Sequence, residues 1–164
     1  MYLLYDANRS GVEVLKLNAT GDVLSSIMTT EVMAVDVKGK VEEALRIMVK
    51  FDIGSVIVTD NGRPVGIITE RDVTRASITG DQLISLPVTR LMSAHIQTAS
   101  PDTEIRCAFE MMLKLGIRRL PIVHEGKLVG IVTETDLTRW VMRVFYEPNI
   151  PEEIRSLIKN SKWT

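Results

Sequence analysis

Cysteine is nearly absent from this chain of 164 residues. The single thiol, Cys107, excludes an intrachain disulfide and a thiolate metal cluster, which suits a reducing cytoplasm. Net charge is nearly absent too, at −1, so no bulk positive field invites nucleic acid or an anionic membrane. No apolar run approaches the roughly 18 residues of a membrane-crossing helix, and no span is expected. The opening "MYLLYDANRSG" is broken by Asp6 and Arg9, which is wrong for a secretory signal. What is present is ordinary for a globular protein, 45% hydrophobic and 25% charged, with length for one domain or two small halves sharing a core.

Catalytic and metal-binding constellations are also missing. His95 and His124 have no thiol or carboxylate at ligand spacing, so a metal site is not expected. Cys107, between Arg106 and Ala108, reads as a quiet thiol. No nucleophile–base pair or carboxylate pair stands out, and the expectation is a protein that is not an enzyme. Asn18 opens a glycosylation sequon that has meaning only on a secreted chain.

The chain does contain a repeat. Shifted by 64 positions without a gap, Met28–Arg75 aligns with Met92–Arg139 at 14 identities in 48 pairs. Eight of these fall in the 11 positions from Val65 to Arg75, where "VGIITERD" is answered by "VGIVTETD". A unit of this length copied once is a duplicated subdomain and not a solenoid. Each copy reads as strand, helix, strand, strand, helix. Val41, Ala44, Leu45, Met48 and Val49 have the spacing of one helix face. Ile105, Ala108, Phe109, Met112 and Leu113 repeat it behind Pro101 and Asp102, which are expected to open that helix. "SVIVTD" and "LPIVHE", then the turns "NGRP" and "EGKL", then "VGII" and "VGIV" read as two hairpins. The last helix of each copy carries Val73 or Leu137 inward.

A three-stranded sheet with helices on one side leaves apolar surface bare, and the second copy covers it as a pseudo-two-fold partner. The expected class is α/β (α+β), built of two β-α-β-β-α repeats. The expected divisions are an N-terminal extension over 1–21, repeats over 22–80 and 81–146, and a tail helix over 147–164. Gly80–Pro87 is the most linker-like stretch. The tail "PNIPEEIRSLIKN" has Pro at a first helical turn and an apolar stripe of Ile154, Leu157 and Ile158.

T-x-x-D before an apolar helix has two readings. As a capping box, Thr69 or Thr133 caps the first turn and Asp72 or Asp136 answers it, worth about 1 kcal/mol with no ligand. As a binding site, the strand-end Gly allows close approach and the helix start favours an anion. Thr then offers a hydroxyl to a phosphate, and the carboxylate suits two vicinal ribose hydroxyls. Both readings stand at this point; capping alone does not explain why Glu70 and Glu134 recur as well.

The two copies, from "IMTTEVMAV" and "LMSAHIQTAS" through their T-x-x-D tracts, resemble the tandem cystathionine-β-synthase (CBS) domain pair, the Bateman module, over about residues 22–146. The resemblance implies two clefts for adenosine-containing ligands: AMP, ADP, ATP and, in some members, S-adenosylmethionine or a dinucleotide. It implies that Thr133 and Asp136 serve one cleft, and Thr69 and Asp72 the other. The segment entering one copy is then expected to line the cleft completed by the opposite copy. The segment Thr30–Met33, with Thr30, Val32 and Met33, would face Thr133 and Asp136, while Ala94–Gln97, with Ile96, would face Thr69 and Asp72, and Val32 and Ile96 would lie against the adenine. Arg118 and Arg119, where the first copy has Gly54 and Ser55, match the family's phosphate-binding position, and Pro121 joins the same set. On that basis the Thr133/Asp136 cleft is expected to be the better one.

The expectation is therefore a cytoplasmic, stand-alone regulatory pair that forms a homodimer through its helices and controls an unidentified effector protein. Two rivals remain. One is a ligand-free dimerisation scaffold. The other is a single-stranded nucleic-acid accessory protein using Arg118, Arg119 and Arg143.

Overall fold

A computed structural model describes residues 22–78 and 83–146; the N-terminal extension over 1–21, the start of the linker-like stretch and the expected tail helix over 147–164 lie outside the described residues. The first repeat contains β1 (Ala34–Asp36), α1 (Val41–Phe51), β2 (Ser55–Asp60), β3 (Arg63–Thr69) and α2 (Glu70–Ser77). Then come β4 (Ser93–Ala94), α3 (Ile105–Leu115), β5 (Arg119–His124), β6 (Lys127–Thr133) and α4 (Glu134–Tyr146). The mixed α and β class read from the sequence is the class observed.

Local chemistry accounts for most of these elements. Asn61 and Gly62, and likewise Glu125 and Gly126, all have positive φ, the turn that joins two twisted strands through two residues. Helix α1 ends on Asp52 and α3 on Gly116, both left-handed, which stops each helix at the same place in its repeat. Pro101 and Asp102 do not open α3. They form a turn ahead of it, and the helix starts at Ile105.

The first sheet has four strands in the order β1-β2-β3-β4, not three. Strands β1 and β2 run parallel, β2 and β3 antiparallel, and β4 adds to the free edge of β3 by pairing Gly66 with Ala94 and Ile67 with Ser93. The fourth strand therefore comes from the segment that leads into the second repeat. The second sheet, β5-β6, receives the converse: Thr29 pairs with Ile131, and Ala99 pairs in parallel with Ile122.

This exchange is reciprocal throughout. Val41 N donates to Leu86 O at 2.9 Å, and Ile105 N to Asp22 O at 3.0 Å. Val88 N donates to Gly39 O at 3.0 Å, and Leu24 N to Thr103 O at 2.9 Å. Each pair is the other shifted by the repeat length, which is the signature of a pseudo-two-fold.

Two cores result. One gathers Val35, Ala44, Met48, Val56, Val58 and Ile68 of the first repeat with Val88. The other gathers Ile105, Ala108, Met112, Leu120, Ile122, Val132, Leu137 and Trp140 with Leu24. Leu24 and Val88 thus sit in the core of the opposite repeat. Trp140 Nε1 donates to Asp22 Oδ2 at 2.9 Å, fastening the lead-in from the other side.

The helix faces are narrower than their sequence spacing. Val49 is 83% exposed and Leu113 55%, so the inward orientation expected of both is corrected: each lies outside its core. Val41, Ala44 and Met48 are buried as expected, as are their counterparts Ile105, Ala108 and Met112. Among the described residues, no helix is long and apolar enough to cross a membrane.

Candidate functional site

Both T-x-x-D tracts form complete capping boxes. Thr69 N donates to Asp72 Oδ2 at 2.9 Å, Thr69 Oγ1 donates to the same oxygen at 2.6 Å, and Asp72 N donates back to Thr69 Oγ1 at 3.4 Å. The second box repeats this with Thr133 and Asp136 at 2.8, 2.6 and 3.3 Å. Capping and ligand contact are not exclusive, because the cap occupies one carboxylate oxygen. Asp72 Oδ1 has no partner among the described residues, whereas Asp136 Oδ1 meets Arg139 Nη1 at 3.5 Å.

Each box opens on a cleft between the repeats. A cavity of about 590 Å³ joins Thr69 and Asp72 to Ile96, Arg118, Arg119 and Pro121. One of about 480 Å³ joins Thr133 and Asp136 to Val32, Met33, Arg118 and Arg119. Both volumes fall in the ordinary range for small-molecule sites, about 300–1,000 Å³. The opposite-copy pairing expected from the resemblance is thus the pairing in space, and the strand exchange produces it: β4 and Thr29 run along the strands that end in the boxes. Thr30 is the exception, since it is exposed and its neighbour Thr29 lines the cleft instead. Pro121 is buried and lines only the Thr69/Asp72 cleft.

The glycine before each box has a steric reason. A Cβ on Gly66 would come 2.5 Å from Met92 Sδ, and one on Gly130 would come 2.7 Å from Met28 Sδ. The lead-in of the opposite repeat presses on the strand there, so a side chain would have to displace the methionine.

Arg118 and Arg119 line both cavities, so the pair does not belong to the second cleft alone. That sharing removes the ground for ranking the Thr133/Asp136 cleft first. The two side chains part in direction. Arg118 Nε lies 3.6 Å from Glu134 Oε2 in its own repeat. Arg119 reaches across to the first, where a Cβ on Gly54 would meet its Nη2 at 3.0 Å and Glu70 Oε2 at 3.2 Å. Burial lowers the Arg119 guanidinium from its ordinary range; Glu70 opposes this, Arg118 adds to it, and Asp72 opposes it. The recurrence of Glu70 and Glu134 is accounted for: each carboxylate faces one member of the arginine pair.

Several cleft residues were not singled out in the sequence. Arg71 and Arg75 line the first cleft, and Glu31, Asp52 and Arg139 the second. Arg75 and Arg139 carried a signal, being one of the repeat's identities. Glu31 fell inside the expected Thr30–Met33 segment without being singled out, and Asp52 carried no signal. Among the described residues no group of three or more His, Cys, Asp or Glu could hold a metal ion, and Cys107 is exposed.

The comparisons with known proteins agree with this geometry. Residues 24–79 and 88–143 each match the CBS domain. A 17.7 kDa protein of Acidianus ambivalens is 40% identical over 123 residues, 74% of this chain and 74% of its own. A crystal structure of a protein from Pyrococcus horikoshii is similar at TM-score 0.66 and 33% identity, covering 75% of this chain and 94% of that one. The CBS domain pair of protein MJ0100, crystallised in complex with 5′-methylthioadenosine and S-adenosyl-L-methionine, is similar at TM-score 0.66 and 26% identity, covering 73% of this chain and 95% of that one. With both halves matched and the exchanged strands in place, this chain belongs to the CBS-domain family, as a tandem pair.

Proposed function

We propose that this protein is a regulatory binding module and not an enzyme. It holds an adenosine-containing ligand of the AMP, ADP or ATP type, or S-adenosylmethionine, in the clefts between its repeats, and its response controls an effector protein. The observation that carries the reading is the meeting, in each cleft, of one repeat's Thr and Asp with the other repeat's lead-in. The adenine stacks against Val32 or Ile96, the ribose hydroxyls bond to the carboxylate of Asp72 or Asp136, the latter shared with Arg139, and Arg118 or Arg119 takes phosphate oxygens. A ligand spanning both repeats favours one relative orientation, by as much as its affinities for the two orientations differ.

The test is a thermal-shift panel of AMP, ADP, ATP, S-adenosylmethionine and 5′-methylthioadenosine. A ligand at about 100 times its Kd adds roughly 2.7 kcal/mol. A panel with no shift, confirmed by calorimetry, overturns the reading. The complete capping boxes favour the scaffold as the alternative, in which the same residues only stabilise helices. It predicts a loss of stability in Asp136→Ala with no ligand affinity to lose.

The assembly we propose is a homodimer. Val49 and Leu113 occupy equivalent places on α1 and α3, with Phe51 and Leu115 exposed nearby, and a second copy covers them.

A further inference from the structure

The clefts share a design and one arginine pair, yet with that pair counted in each, the charges that line them sum to opposite signs. The Thr69/Asp72 cleft adds Arg71 and Arg75 to the shared pair, against Glu70 and Asp72, so four arginines face two carboxylates. The Thr133/Asp136 cleft adds only Arg139, while Glu31, Asp52, Glu134 and Asp136 line it, so three arginines face four carboxylates.

Pairing leaves the difference in place. In the second cleft Arg139 is turned to Asp136 and Arg118 to Glu134. Glu31 and Asp52 make no ion pair among the described residues. In the first cleft neither Arg71 and Arg75 nor Glu70 and Asp72 form an ion pair among the described residues, so the cation excess there is not offset by pairing. Arg119 leans the same way, toward Gly54 and Glu70. A cavity this size keeps its lining within one Debye length of a bound ligand, about 8–10 Å, so these charges act on it directly.

We propose that the two clefts take adenosine ligands of opposite tail charge. The Thr69/Asp72 cleft takes an anionic tail such as a phosphate, and the Thr133/Asp136 cleft takes a neutral or cationic one. This rests on the adenosine reading above and adds to it a division of labour: the protein reads two kinds of adenosine compound at once. The carboxylates also fit that division. Asp72 has one oxygen free for a ribose while cations gather around it, whereas the unpaired carboxylates of Glu31 and Asp52 can accept from an amino group or set a negative charge against a sulfonium.

The experiment uses the full chain and two probes, AMP and 5′-methylthioadenosine, in calorimetry at low and moderate salt. AMP is expected to weaken as salt rises and 5′-methylthioadenosine to hold. Arg71→Glu with Arg75→Glu, both exposed positions, should weaken AMP by roughly tenfold or more and leave 5′-methylthioadenosine within about twofold. Glu31→Gln with Asp52→Asn should open the second cleft to AMP and raise its stoichiometry; Asn keeps the left-handed backbone at position 52. A crystal grown with both probes should show AMP beside Asp72 and 5′-methylthioadenosine beside Asp136.

AMP beside Asp136 alone, or AMP affinity unmoved in the folded Arg71→Glu/Arg75→Glu protein, overturns the charge division and leaves the adenosine reading intact. Failure of both probes to bind the wild-type chain also overturns the charge division, while the adenosine reading falls only if the whole panel above fails. Circular dichroism on each variant distinguishes a change in affinity from a change in fold.

Discussion

Met92 lies so close to Gly66 that any side chain at position 66 would overlap its sulfur, and Met28 bears on Gly130 in the same way. The two contacts are the points at which each repeat's lead-in is pressed onto the other repeat's sheet. They give the glycine of the doubled "VGI" phrase a reason that involves no ligand.

Gly66→Ala is expected to displace Met92 and cost about 1–3 kcal/mol, the usual range for overpacking. Met92→Ala alone opens a gap at the same place. The double variant should cost less than the sum, because the new methyl enters the space the thioether has left. Urea unfolding of the four proteins measures this coupling, and strict additivity would mean that the contact is loose in solution.

Leu24 is numbered with one repeat and buried with the other. Leu24→Ala should cost about 2–5 kcal/mol, as a full core truncation does. Hydrogen exchange should show the loss first in β5, β6 and α4, before the first repeat's sheet responds. Early loss in β2 and β3 would contradict the exchanged arrangement.

The capping boxes make a separable prediction. Thr69→Val and Thr133→Val each remove a hydroxyl that both donates to and accepts from the Asp. Each should lower stability by about 1 kcal/mol in thermal or chemical unfolding. On the proposed reading, in which the same hydroxyl contacts the ligand, added nucleotide should restore less of the loss than it adds to the wild type. Full restoration would leave the threonines with capping alone.

The exposed helix faces predict the oligomer. Val49→Glu with Leu113→Glu should give monomers by light scattering while the circular dichroism spectrum stays unchanged, because neither side chain is in a core. A wild-type protein that is already monomeric at micromolar concentration would refute the dimer.

Much of this was legible because its causes are local. Asn61-Gly62 and Glu125-Gly126 specify their own turns, and Thr69 and Thr133 their own helix starts. Val41, Ala44 and Met48 announce a buried stripe through spacing alone. What could not be read is set by partners far along the chain. Nothing around Leu24 says which of two similar cores it enters. Val49 continues the apolar spacing of α1, but its exposure depends on where the neighbouring elements stop. The charges of the clefts are hidden for the same reason. Glu31, Asp52 and Arg75 become significant only when residues from separate segments are brought round one opening or the other.

The traded arms have an implication for ancestry. A polypeptide with a single repeat would leave its own sheet edge bare and its own arm unattached, and two such molecules would answer both needs by clasping each other. Tandem duplication then changes no contact. It joins two clasped twins with a peptide link and leaves each half free to drift in sequence.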